Sequence, residues 1–170
     1  MIRPATPSDA AAIATIYNHY IEHTVITFEE VPVSDGEIAA RMAANGDAFP
    51  WFVRERDGAI AGYAYSAPWH KRSAYRNSVE TSIYLDHSAT GSGVGTELYR
   101  HLLTDLTARK RHVAIGGIAL PNDASVALHE KFGFEKAAHY REVGRKFARW
   151  IDVGYWQKIL SAGPTDAAGR

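Results

Sequence analysis

Three glycines within six residues, Thr90-Gly91-Ser92-Gly93-Val94-Gly95, form the stretch of this chain best suited to holding a charged ligand. They follow Ser78 to Leu85, an alternating, β-branched run that reads as a strand. They precede Glu97 to Arg109, where Leu98, Leu102, Leu103 and Leu106 fall at helical spacing. A loop in that position aims unpaired backbone N–H groups and a helix dipole at an anion. Glycine lets the main chain approach the anion closely and adopt positive φ where needed. The stretch predicts a pyrophosphate cradle, with a plain tight turn as the alternative. A Walker loop would close on Gly-Lys-Ser/Thr, whereas Thr96-Glu97 follows Gly95. A dinucleotide fingerprint needs one more residue between its glycines and an acid after the next strand, where this chain has Pro121.

Other reactive side chains are fewer. Glu80 lies within the strand before the glycines, so its carboxylate projects from a sheet face, either as a general base or as a solvated edge charge. Trp69-His70-Lys71-Arg72-Ser73-Ala74-Tyr75-Arg76 is an aromatic, basic loop in which Arg72 could clamp a carboxylate bidentately and Tyr75 could supply a wall. His19 and His23 are four apart on one helical face, but Glu22 directly precedes His23, out of HExxH register, so a surface or packing role is expected and no metal site. The chain has no cysteine, which excludes disulfides, thiolate nucleophiles and cysteine-based zinc sites, and it has no G-x-S-x-G signal for serine catalysis.

These groups need a scaffold. A short strand over residues 2–5 is followed by a helix from Ser8 or Asp9, either able to cap it, through Glu22. A loop over residues 24–32 leads to a helix from Ser34 to Ala44, with Ser34 and Glu37 as a capping box and Asn45-Gly46 as its stop. Trp51–Arg56 and Ile60–Ser66 read as a hairpin joined by Asp57-Gly58. Beyond the glycine loop and its helix come a buried strand (Val113–Leu120), a helix from Pro121-Asn122-Asp123 to Phe132, and closing strands over 134–142 and 149–158. Residues 161–170 read as a disordered tail. The pattern predicts one α/β domain over residues 1–160, with a mixed sheet of six to seven strands and about four helices.

Bulk properties narrow the partners. At 170 residues, one domain can bury an adequate core. Nineteen Lys and Arg balance nineteen Asp and Glu, which argues against nucleic-acid binding through a cationic surface. No apolar run is long enough to span a membrane, and Ile2-Arg3-Pro4-Ala5 shows no signal segment, so a cytoplasmic protein is expected.

Taken together, the motifs resemble the GNAT superfamily of acetyl-CoA-dependent N-acetyltransferases, whose signature is Gln/Arg-x-x-Gly-x-Gly/Ala. Gly93 and Gly95 match, and Thr90 stands where Gln or Arg is usual. Asn122, Ser125, His129 and Gly133-Phe134 follow a second element, with His129 in the usual tyrosine position. Asn18-His19-Tyr20-Ile21-Glu22, Gly62-Tyr63-Ala64-Tyr65, Val79-Glu80-Thr81-Ser82-Ile83-Tyr84 and Asp152-Val153-Gly154-Tyr155-Trp156-Gln157 are similar to the phosphinothricin and methionine sulfoximine acetyltransferase branch.

The resemblance implies roles for residues along roughly 1–160. Glu80 becomes the general base, acting directly or through water. Ile83, Tyr84 and Leu85 offer main-chain groups to the pantetheine arm. Gly91, Ser92, Gly93, Val94, Gly95 and Thr96 wrap the pyrophosphate. Asn122 either binds pantetheine or simply caps its helix, Lys131 joins the cofactor site, and His129 is either a general acid or a packed ring. His70, Arg72, Tyr75, Thr81 and Ser82 join Glu80 around the acceptor, with Phe28, Glu29 and Tyr99 nearby. Direct attack of a free α-amine on acetyl-CoA, no metal, a homodimer and a detoxification role are implied as well. Another amine acceptor, or a CoA sensor without catalysis, are the competing readings.

Overall fold

The computed structural model describes residues 1–160; the tail predicted to be disordered, Ser161 to Arg170, lies outside the described residues. Among the described residues, the hydrophobic periods resolve into β1 (Ile2–Pro4), α1 (Ala10–His23), α2 (Asp35–Asn45), β2 (Trp51–Arg56), β3 (Ala59–Pro68), β4 (Ser78–Leu85) and α3 (Val94–Ala108). β5 (Val113–Leu120), α4 (Asp123–Lys131), β6 (Glu135–Lys146) and β7 (Arg149–Ile159) complete the chain. The strands form a single sheet in the order β1-β2-β3-β4-β5-β7-β6. Successive residues of β2 face opposite layers. Trp51 and Val53 pack with Ile13, Tyr17, Ile21 and Ile38 of α1 and α2. Phe52 packs with Leu98, Leu102 and Leu106 of α3, in the layer that also takes Phe134 and Trp156. Helices on both faces of a mixed sheet are the α/β architecture the pattern implies.

Local chemistry fixes most of the joints. Asp57 and Gly58 take positive φ, +52° and +78°, as a two-residue hairpin turn requires. Ser34 Oγ accepts from Glu37 N at 3.2 Å while the Glu37 carboxylate accepts from Ser34 N at 2.8 Å, which closes the capping box of α2. Asp9, in contrast, does not cap α1 through its side chain. Its carboxylate is drawn away to Arg3, with two contacts of 2.8 Å, and to Thr6 N at 2.7 Å. A bidentate fork onto a guanidinium outcompetes a single bond to a backbone N–H. The β6 strand runs to Lys146, past the predicted end at 142. An irregularity between Tyr140 and Gly144 masks the alternation: Glu142 takes φ +51° and its N–H donates to Asp152 Oδ1 at 2.8 Å.

One junction matters most. β4 and β5 are parallel neighbours, the arrangement that needs a crossover helix, and α3 supplies it. Their ladder runs only from Ser78↔Val113 to Glu80↔Ile115. β4 then continues to Leu85 against β3, and β5 continues to Leu120 against β7, so the sheet opens as a wedge. At its apex the Thr81 hydroxyl donates to the Ile115 carbonyl at 3.3 Å, which leaves the fully buried Tyr99 hydroxyl to donate to Thr81 at 2.9 Å. These two bonds close the ladder where the main chains part.

Candidate active site

Gly116 and Gly117 in β5 let side chains close on the wedge from both faces of the sheet. A Cβ at Gly116 would fall 2.3 Å from His129 Nε2. A Cβ at Gly117 would fall 3.1 Å from the Tyr155 ring and 3.6 Å from Glu80 Oε1. Two glycines inside a strand are costly unless another group must approach the backbone closely, and here one group does so on each face.

On the Gly117 face, Glu80, Ser82 and Tyr84 from β4 line a cleft of about 290 Å³ with Tyr65 and Ala67 of β3, Val153 and Tyr155 of β7, and Ile26, Thr27 and Phe28. Alternation along β4 puts Glu80, Ser82 and Tyr84 on one side of the strand. Burial raises the Glu80 carboxyl above the ordinary carboxylate value, opposed by the nearby His70 ring. Burial likewise raises the Tyr155 hydroxyl, with the Glu80 charge adding to the effect. A half-buried carboxylate among phenols and apolar walls is poised to take a proton rather than to hold a cation.

On the Gly116 face, Thr81, Ile83, Asn122, Ser125 and His129 line the second half of the wedge, which shares Ile26, Ser82, Tyr84, Gly117 and Ala119 with the first. Asn122 Oδ1 accepts from Ser125 N at 3.1 Å, so the cap is made and the side-chain NH2 remains as a donor. His129 is 4% exposed, and its Nδ1 lies 2.7 Å from the Ser125 carbonyl. A carbonyl only accepts, so Nδ1 carries the proton and Nε2 presents a lone pair. Burial pulls the ring's pKa below the usual histidine value, although the bond to Ser125 opposes this. The ring also makes edge contacts with Tyr99 and Phe134, at 5.0 and 5.2 Å.

The glycine loop stands where β4 delivers it. Gly91 and Gly93 take φ of +73° and +86°, with open space where their side chains would be, and Gly93 caps α3. α3 starts at Val94, earlier than the predicted Glu97, so Gly95 and Thr96 belong to its first turn. Their amides have no intrahelical acceptor and can receive a phosphate. The Ser92 hydroxyl donates to the Ala89 carbonyl, and Thr96 Oγ1 accepts from Lys131 Nζ at 3.4 Å. Lys131, on α4, therefore stands beside the cradle. Leu85 is partly committed: its carbonyl accepts from the Tyr20 hydroxyl at 2.7 Å. The open main-chain edge from Thr81 onwards and the glycine cradle fit the pantetheine and pyrophosphate of a coenzyme A thioester.

His70, Arg72 and Tyr75 belong to a separate hollow of about 650 Å³ built from Pro68, Trp69, His70, Lys71, Arg72 and Tyr75. The Trp69 ring meets Tyr155 at 5.4 Å and so links this hollow to the cleft of Glu80. Arg111 anchors the loop's far end by donating to the Arg76 carbonyl at 2.6 Å. Sequence reasoning missed Tyr65, Gly117, Tyr155 and the 26–27 segment as cleft residues. Gly116-Gly117 inside a predicted strand was the available signal. The His19 and His23 rings lie 5.0 Å apart at a tilt of 58°, and His19 stacks instead on His87, with ring centroids 5.2 Å apart. Among the described residues no group of three or more His, Asp or Glu converges as a metal site. No helix there is long and apolar enough to cross a membrane.

A mixed α/β sheet wedged open beside a glycine cradle defines an acyl-CoA transferase, and the comparisons agree. The acetyltransferase (GNAT) domain family matches residues 2–154; the chain belongs to that family and is an acetyl-CoA-dependent N-acetyltransferase. It is 41% identical over 157 residues to a phosphinothricin N-acetyltransferase of Streptomyces viridochromogenes, covering 92% of this chain and 86% of that one. It is 35% identical over 160 residues to an L-methionine sulfoximine/L-methionine sulfone acetyltransferase of Salmonella typhimurium, covering 94% of each. A GNAT superfamily phosphinothricin acetyltransferase from Sinorhizobium meliloti, solved in complex with acetyl-CoA, superposes with a TM-score of 0.92 at 36% identity, over 96% of this chain and 90% of that one.

Proposed function

We propose that the enzyme acetylates the free α-amine of a small amino-acid analogue of the phosphinothricin, methionine sulfoximine or methionine sulfone type. The observation that carries this reading is the position of Glu80, whose carboxyl pKa is raised by burial and which faces a phenol-lined cleft beside the apex of the wedge. Acetyl-CoA, when bound, supplies the acyl group as an activated thioester. The chain's own residues do the rest. Gly91 to Thr96 receive the pyrophosphate through main-chain amides. The unpaired edge of β4 beyond Glu80 aligns the pantetheine arm, and the Asn122 amide is placed to donate to it. An α-amine of pKa about 8 is mostly ammonium at neutral pH, so attack requires a base, and Glu80 takes that proton directly or through one water.

As nitrogen bonds to the acyl carbon and the carbon–sulfur bond breaks, the second amine proton travels to the departing sulfur. A thiol of pKa about 8.5 leaves readily enough without a dedicated acid. His129 enters as a packed ring, because its proton is held on Nδ1 by Ser125 and its Nε2 can only accept. Arg72, exposed in the hollow beside the cleft, is assigned to the acceptor's carboxylate or second anionic group, with Tyr75 as wall. Both substrates are present together and no acyl-enzyme is required. Use of acetyl-CoA is consistent with a cytoplasmic enzyme, and detoxification follows from the acceptor class. Tyr140, Val143, Phe147 and Trp150, exposed on β6, β7 and the turn between them, are apolar enough to favour a homodimer.

Thiol release from acetyl-CoA, followed across phosphinothricin, methionine sulfone, methionine sulfoximine, the ordinary amino acids, a polyamine and a peptide N-terminus, tests the reading. The highest kcat/KM is expected for the sulfone, sulfoximine or phosphinate acceptors. A clear preference for the peptide or polyamine would overturn the substrate class, and acetyl-CoA binding without turnover of any amine would favour the sensor.

A further inference from the structure

Ile26, Thr27 and Phe28 form the wall facing Glu80, yet they belong to a segment without regular secondary structure between α1 and α2. Three anchors hold its residues 27–29. From α1, the Tyr17 hydroxyl donates to Glu29 Oε1 at 2.9 Å and accepts from the Thr27 hydroxyl at 2.7 Å. From α2, the Arg41 guanidinium forks onto Glu29 at 2.7 and 3.0 Å. The third anchor comes from the far end of the chain: Lys146 Nζ donates to the Thr27 carbonyl at 2.8 Å.

Lys146 is the least expected of the three. It is 2% exposed, and a lysine is almost never that buried without a specific partner. Burial pulls its pKa down, against the nearby Glu30 and Glu29 charges. Gly144 stands two residues earlier on the same face of β6, and a Cβ there would fall 2.2 Å from the Phe28 ring. The irregularity in β6 makes this possible. β6 advances from Tyr140 to Gly144 while β7 advances only from Val153 to Ile151, which brings Gly144 and Lys146 into register opposite Ile151 and Arg149. Asp152 ties the irregularity down through Glu142 N and His139 Nε2, at 2.8 and 2.7 Å.

We propose that Lys146 is a positioning residue for the acceptor: by gripping the Thr27 carbonyl, with Gly144 seating the Phe28 ring, it fixes the 26–28 wall against Glu80 without touching the substrate. The inference rests on reading the Glu80 cleft as the acceptor site. It explains why a strand distant in sequence carries a buried charge just behind a substrate wall.

The test is Lys146→Met, which keeps the apolar stem and removes the ammonium, with Gly144→Ala displacing Phe28 independently. Amide exchange at residues 26–29 should quicken about tenfold in either variant, with the rest of the chain unchanged. The KM for the acceptor should rise about tenfold, while kcat and the KM for acetyl-CoA, whose half of the wedge this segment meets only at Ile26, stay within about twofold. Parent-like exchange at 26–29, faster exchange throughout the chain, or an unaltered acceptor KM would each overturn the proposal. Should the parent acetylate no amine at all, the acceptor-site reading fails, whereas the exchange comparison still decides whether Lys146 holds the wall. If Lys146→Met does not fold, Lys146→Gln, which keeps a shorter neutral donor, carries both measurements for the grip, and Gly144→Ala carries them for the Phe28 seat.

Discussion

The two halves of the wedge are built from different materials. The half assigned to the coenzyme is mostly main chain: a strand edge freed from its neighbour, two glycines at positive φ and the first turn of α3, within residues 81–96, with Asn122 and Lys131 added from α4 and its cap. The acceptor half is side chain: Glu80, Tyr65, Tyr155, Phe28 and Val153, drawn from β4, β3, β7 and the segment after α1. A common coenzyme can be held by groups every residue owns, so that half is expected to tolerate substitution of its side chains. A particular acceptor has to be recognised by specific side chains, and those converge only when the sheet closes. The difference predicts that variants on one side should move acetyl-CoA parameters and variants on the other should move acceptor parameters.

The largest expected effect lies where the halves meet. Glu80→Gln should keep acetyl-CoA binding and lose about 10²–10⁴-fold in kcat/KM at neutral pH. Calorimetry beside steady-state thiol release separates the two quantities, and unchanged turnover would remove Glu80 from the chemistry. Next comes the glycine pair. Gly116→Ala drives a methyl into His129 Nε2 and should cost about 1–3 kcal/mol of stability. Thermal unfolding measures that cost, and His129→Ala in the same chain should recover part of it if the ring is there to pack.

Gly93→Ala and Arg72→Ala sharpen the comparison at about tenfold each. A side chain at Gly93, φ +86°, strains the cradle and should raise the KM for acetyl-CoA alone. Loss of the Arg72 fork should raise the KM for the acceptor alone, without rescue by lysine. Crossed effects would break the division. The smallest effect is on stability. The folded state raises the Glu80 pKa, so it binds a proton more readily than the unfolded chain, and stability falls as pH rises from the ordinary carboxylate value through the raised one. Glu80→Gln removes that penalty above the window, and Tm at neutral pH should increase by about 1–3 °C. A lower Tm would contradict the burial account.

The same division explains what could be read in advance. The glycine loop, the Ser34–Glu37 capping box and the Asp57-Gly58 hairpin are written within a few consecutive residues, and each appears where its local chemistry places it. The continuation of β6 to Lys146 was hidden because the irregularity before Gly144 breaks the alternation. Phe147-Ala148, both at positive φ, turn the β6–β7 hairpin without the glycine or asparagine that would announce it. The acceptor wall was largely illegible because Thr27 meets Lys146, and Glu80 meets Gly117 and Tyr155, only through long-range packing. His129 shows the limit of motif reasoning. Its place in the pattern allowed either an acid or a packed ring, and the Ser125 carbonyl that fixes its tautomer, which favours packing, is visible only in three dimensions.

The pH profile of kcat/KM for parent and Glu80→Gln, with methionine sulfone or phosphinothricin as acceptor, bears most directly on the chemistry. The parent should show an ascending limb whose midpoint lies above the ordinary carboxylate range, because burial raises Glu80, and the limb should vanish in the glutamine variant together with most of the rate. A limb of unchanged midpoint and height in Glu80→Gln would contradict the account.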